Sequence, residues 1–149
     1  SRAKETEAPA AALELADGRM ITGKTTDLLG PCAALLLNAL KELAGIPHSQ
    51  PVISPAAIEP IQTLKTQYLG SKNPRLHMDE VLIALSVSAA SDSNAQKALE
   101  QLPNLKGCQA HTSVMVSDVD RKLFMKLSIQ ATFEAKYENN SVIFSKKGI

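Results

Sequence analysis

The stretch "AALELADGRMITGKTTD", Ala11 to Asp27, can be read in two ways that lead to different folds. Gly18, Gly23, Lys24 and Thr25 spell the phosphate-loop pattern G-x-x-x-x-G-K-[ST], which belongs between a buried strand and a helix. Yet the four intervening residues, "RMIT", have strand character rather than loop character. Two short apolar runs flank Asp17-Gly18, a strong hairpin signal. The hairpin reading predicts strands near Ala12–Leu15 and Arg19–Thr22, with Gly18 in the turn and Gly23 a strand-length away. Two glycines so separated cannot cradle one phosphate. The expectation is therefore a β-hairpin and not a true phosphate loop.

Downstream, "GPCAALLLNALKELAG" carries Pro31 at a favourable first helical position and Gly45 at its stop, so a deeply buried helix is predicted over Pro31 to Ala44. A second helix is expected from Ser54, a natural N-cap, through Pro55 towards Gly70, with Pro60 as a possible kink. "HMDEVLIALSVSAAS" reads as a third helix, its acids complementing the dipole, and Ser93 to Leu102 as a fourth, ending before Pro103. The last third changes character: "AHTSVMV" is strand-like, "SDVDRKLFMKL" is a helix capped by Ser117 with Asp120 three residues on, and "SIQATFEAKY" alternates like a strand. A strand, helix, strand unit implies a crossover onto a sheet and an α/β class. Residues 138–149 read as a final hairpin or a tail.

The 149 residues suit one domain, taken as 11–137. Residues 1–10 read as a linker or helix tail from an upstream region, because the chain lacks an initiator Met and opens on a charged, alanine-rich run. Lys plus Arg number 16 and Asp plus Glu 15, which leaves no global field for nucleic acid or an anionic membrane. Three Phe, two Tyr and no Trp leave little for base stacking. The longest apolar run, Ala33 to Leu40, is far short of the roughly 20 residues that span a bilayer. Cys32 and Cys108, with no signal segment, fit free thiols in a cytoplasmic protein.

Three constellations carry possible chemistry. Cys108 and His111 in "CQAH" have metal-ligand spacing but no second pair, so a buried thiol beside a strand is the simpler reading and no metal is expected. The richest stretch is "GSKNPRLHMDE", Gly70 to Glu80. Ser71, Lys72, Asn73 and Arg75 precede a helix start, and such a group suits a phosphate or carboxylate. His77, Asp79 and Glu80 add candidate acid and base groups. The plainer alternative is a solvated loop whose acids cap a helix. Lys24, at the end of the second predicted strand, is a further candidate for anion contact. The sequence leaves the cofactor unknown.

Taken together, "ISPAAIEPIQTLKTQYLGSKNPRLHMDEVLIALSVSAA", "DGRMITGKTTDLLG" and "LEQLPNLKGCQAHTSVMVSDVD" resemble, in order, the C-terminal part of the bacterial domain-of-unknown-function family numbered eighteen forty-six. The resemblance runs from about Ala11 to Tyr137. It implies a longer protein whose C-terminal portion is a three-layer α-β-α sandwich with a mixed sheet, an N-terminal hairpin and four or five helices, topologically akin to cytidine deaminases. The zinc signature of those enzymes is absent: Pro31-Cys32 is followed by "AAL", and "HMDE" has the wrong spacing. The expected partners are upstream domains of the same protein, a second copy of the chain and a small anionic metabolite. The competing expectation is a scaffold or oligomerisation domain without a site of its own.

Overall fold

Strand β1 (Ala11–Glu14) and strand β2 (Met20–Gly23) form the expected antiparallel hairpin, in register Ala11 to Gly23 and Glu14 to Met20. The computed structural model describes residues 10–134. The connection closes where the Gly18 N–H donates to the Leu15 carbonyl at 2.9 Å, and Gly18 holds φ +92°, which its missing Cβ permits. Arg19 bonds Asp17 across the turn at 2.8 Å and reaches Glu42 at 2.7 Å.

Gly23 has a different task. A Cβ built there would lie 2.5 Å from both the Leu35 nitrogen and the Pro31 carbonyl oxygen, so β2 rests backbone-to-backbone on helix α1 (Pro31–Ala44). The string that imitates a phosphate loop is thus a hairpin turn, a strand and a packing glycine.

Helix α1 starts and stops as expected. Its inward residues include Cys32, Ala33, Leu35, Leu36, Ala39 and Leu40, all at 2 % exposure or less. Each buried Leu contributes roughly 1.5–3 kcal/mol relative to exposure. Gly45 closes the helix at φ +73°. Lys41 is also buried, which is unusual for a lysine.

Helix α2 (Pro55–Thr63) accommodates Pro60 and then widens into a π-helical turn over Leu64–Tyr68, closed by the Leu69 N–H donating to the Leu64 carbonyl. The Thr66 hydroxyl donates to the Gln62 carbonyl at 2.9 Å, a back-bond of the kind that distorts helices. Helix α3 (Met78–Ala89) follows. Helix α4 (Ser93–Leu99) is shorter than predicted: a 3-10 turn over Leu102–Leu105 takes in Pro103 instead of stopping before it. Strand β3 (Gln109–Thr112), helix α5 (Asp118–Lys126), capped by Ser117 at 3.1 Å from the Asp120 N–H, and strand β4 (Gln130–Phe133) complete the expected crossover unit. Residues 135–149, including the predicted terminal hairpin, lie outside the described region.

The sheet order is β2-β1-β3-β4, with β3 and β4 parallel and the other pairs antiparallel, so the sheet is mixed as expected. Ala11, Leu13, Ala110 and Thr112 point into the helical layer and are buried. Glu14, Gln109, His111, Gln130 and Thr132 point the other way and are exposed. Among the described residues this gives two layers, five α-helices and one open sheet face, where a three-layer sandwich was expected. His111 stands on that open face with its Nδ1 2.8 Å from the Thr132 hydroxyl, while Cys108 is buried at the start of β3. The described residues hold no group of three or more His, Cys, Asp or Glu side chains placed to bind a metal, and no helix long and apolar enough to cross a membrane.

Candidate functional site

The polar loop before α3 is tied down along its length. Gly70 turns the chain at φ +78°, the Ser71 hydroxyl accepts the Asn73 N–H at 3.1 Å, and the Asn73 side-chain oxygen accepts the Arg75 N–H at 3.1 Å. Leu76, fully buried, then runs beside Leu29 as a parallel bridge: its N–H donates to the Leu28 carbonyl at 2.9 Å, and its carbonyl accepts the Gly30 N–H at 3.1 Å. The Arg75 Nε donates to the Thr26 carbonyl at 2.6 Å. Beneath the loop, the buried Lys65 ammonium donates to the Arg75 carbonyl and to Glu80 at 2.9 Å. The π-helical turn supplies that lysine.

These restraints fix one wall of a cavity of about 370 Å³. Gly30, His77 and Ser117, the residues that precede α1, α3 and α5, all line it, so three helix starts converge on one space. Each start brings the positive end of a helix dipole, although the Gly30, His77 and Met78 N–H groups are already taken by the Leu76 carbonyl, Glu80 and Asp120. Arg75, Asn73, Thr25, Cys32 and Asp120 complete the polar lining. The site lies where the chain leaves β2 and β3, at the carboxyl ends of parallel strands, a common position for ligand crevices in α/β folds.

The electrostatics are mixed. Asp120 is 7 % exposed, and its Oδ1 accepts the Met78 N–H at 2.8 Å, so a carboxyl of the protein itself occupies the start of α3. Burial raises its pKa, and the Met78 N–H and the neighbouring His77 partly oppose that. The Cys32 thiol is pushed up to about 12, first by burial and then by Asp120, so it lines the cavity as a neutral thiol and not as a nucleophile. Among the described residues the terminal nitrogens of Arg75 have no protein acceptor, which leaves the fork of its guanidinium available to an oxyanion.

Of the residues singled out in the sequence, the structure brings Asn73, Arg75 and His77 together in this cavity. Ser71 shapes the loop and Lys72 is exposed; neither lines the space. Asp79 is exposed and accepts the Glu80 N–H at 2.8 Å. Glu80 is held by Lys65 and accepts the His77 N–H at 2.8 Å, closing the first turn of α3. Lys24 lines a separate cavity. Sequence reasoning missed Cys32, Ser117 and Asp120 as cavity residues, and Lys65 as the post behind Arg75. The cap at Ser117 was visible, but its approach to His77 depends on a contact between segments some forty residues apart.

Comparison with known proteins places the chain in a family. Residues 1–143 match the family described as "Domain of unknown function DUF1846, C-terminal". The chain belongs to that family. Among DUF1846 relatives, the UPF0371 protein of Corynebacterium efficiens is 59 % identical over 138 residues, covering 93 % of this chain and 28 % of its own length. The UPF0371 protein of Corynebacterium glutamicum is 56 % identical over 139 residues, with the same two shares. That of Streptococcus uberis is 46 % identical over 141 residues, covering 95 % of this chain and 28 % of the relative. The chain therefore spans little more than a quarter of the length of these bacterial relatives.

Proposed function

We propose that this DUF1846 C-terminal domain contributes an anion-binding pocket for a small phosphate- or carboxylate-bearing metabolite within a larger cytoplasmic protein. The observation that carries the reading is the convergence of the free Arg75 guanidinium fork and three helix starts on one cavity. Arg75 grips the anion, the positive ends of the α1, α3 and α5 dipoles face it, and Asn73 supplies a further hydrogen bond. His77 is the candidate acid or base. Glu80 serves as a positioning residue, since Lys65 and the His77 N–H already engage its carboxylate. Asp79 and Lys72 stay at the rim.

We also infer that upstream parts of the longer protein cover the open sheet face and complete the three-layer, deaminase-like sandwich. The length of the relatives supports this. A second reading, a structural or oligomerisation domain, draws support from exposed apolar side chains: Tyr68 and Leu69 after α2, and Ile83 and Val87 on one face of α3.

The deciding experiment is a thermal-shift screen of the full-length protein and of this domain against phosphorylated metabolites and small carboxylates. A ligand at a hundred times its Kd stabilises by about 2.7 kcal/mol. Stabilisation of the domain by an anion, abolished in Arg75→Ala while its unliganded melting temperature changes little, supports the pocket. A hit in the full-length protein that Arg75→Ala leaves intact, or silence in both proteins, favours the scaffold reading.

A further inference from the structure

A second cavity, of about 470 Å³, opens beside the first. The segment after β2 divides its side chains between them: Lys24 and Thr26 line the second, Thr25 the first. Asn38, Lys41, Glu42 and His48 form the facing wall. Lys41 is the unusual member. It is 7 % exposed, and lysines are seldom buried to that degree unless a counter-charge meets them.

Here none does among the described residues. The Lys41 ammonium donates to the His48 carbonyl at 2.9 Å, which uses one of its three N–H groups. Glu42, the adjacent carboxylate, turns instead to Arg19 at 2.7 Å. Lys24 likewise has no ion-pair partner among the described residues, and the Asn38 amide is committed to the Thr22 carbonyl at 2.9 Å. The cavity thus holds two lysines, on opposite walls, with no ion-pair partner among the described residues, one of them largely removed from water. Burial pulls the Lys41 pKa down, the direction expected of an ammonium that lacks its counter-ion.

We infer that this cavity is a second anion site, independent of Arg75, in which Lys41 and Lys24 hold a compact oxyanion such as a phosphate or a small polycarboxylate. The oxyanion takes the Lys41 N–H groups that the His48 carbonyl leaves and supplies the missing negative charge, while Lys24, exposed at the mouth, completes the contact. His48 and Thr26 border the same space and add hydrogen-bonding capacity.

The test is calorimetric titration of the full chain with inorganic phosphate, in wild type and in Arg75→Ala, Lys24→Ala and Lys41→Met. The expected result is a binding event that survives Arg75→Ala and weakens at least about tenfold in both lysine variants. Loss of all phosphate binding in Arg75→Ala, or binding indifferent to Lys24→Ala, overturns the second site while leaving the Arg75 pocket standing. Binding lost in the lysine variants but untouched by Arg75→Ala upholds the second site and removes the Arg75 pocket as a phosphate binder. No heat in wild type at millimolar phosphate overturns the second site outright. Lys24 is exposed, so its variant remains informative even if Lys41→Met disturbs the fold.

Discussion

Replacing Gly23 with alanine should be among the most damaging single-methyl additions in this domain. The new carbon would sit 2.5 Å from the Leu35 nitrogen and the Pro31 oxygen and 2.7 Å from the Leu35 Cα. Non-bonded carbons prefer about 3.5–4.0 Å, so the overlap is roughly 1 Å, and every atom it meets is backbone within the first turns of α1. No side-chain rotation relieves that. Either β2 separates from α1, opening the layer that buries Leu35, Leu36 and Leu40, or the start of α1 deforms. Overpacking typically costs 1–3 kcal/mol, and a rigid neighbour puts this case at about 3 kcal/mol. For a chain of this size that corresponds to a melting-temperature loss on the order of 10 °C. Gly18→Ala is the control. Its Cβ meets nothing within 4 Å, and the cost there is the positive φ alone, about 1 kcal/mol. Differential scanning calorimetry of the two variants separates the mechanisms. Equal, small shifts would refute the close-packing role of Gly23, and a Gly23→Ala protein of unchanged stability would reopen the question of what that glycine does beside Lys24.

Lys65→Met should cost about 2–3 kcal/mol in urea unfolding, because it strips the partly buried Glu80 of its cation and frees the Arg75 carbonyl; a loss below half a kilocalorie, about the scale of an exposed pair, would show that the lysine is not a post. Asp120→Asn should equal or exceed wild-type stability at neutral pH. The folded carboxyl holds its proton to higher pH than the unfolded one, so wild-type stability falls as pH rises from the unfolded pKa through the raised folded value and stays lower above it. The advantage of the asparagine should therefore shrink on acidification towards the ordinary carboxylate range, and a variant less stable at neutral pH, with a gap that does not depend on pH, would contradict the raised pKa. In hydrogen exchange, the Gly30 and Leu76 amides should be protected although neither lies in a named strand, since each is bonded across the Leu29–Leu76 bridge; rapid exchange at both would remove the bridge.

Local signals carried far in this chain. Asp17-Gly18 announced the hairpin, Pro31 and Gly45 marked α1 to the residue, and Ser117 capped α5 as its spacing suggested. Arg75 and His77 could be picked out as site candidates because polar side chains crowd a helix start. The losses were all tertiary. Lys41 and Lys65 drew no reading from the sequence, and only the packing of the α1–α2 loop and the π-helical turn buries them. Glu80 looked like a free base until Lys65 claimed it. Asp120 looked like an ordinary first-turn acid, and its approach to Met78 rests on two helices meeting that are remote in sequence.

The parallel bridge between Leu29 and Leu76 also bears on how a ligand would be received. A polar loop on a protein surface usually has to be immobilised as it closes on its target, and that lost freedom is subtracted from the affinity. Here Leu76 is anchored in the core, both of its backbone polar groups are bonded to the segment entering α1, and Lys65 holds the Arg75 carbonyl from below. The guanidinium therefore stands on a wall already set, and an anion binding at Arg75, as proposed, would meet a receptor with little left to freeze.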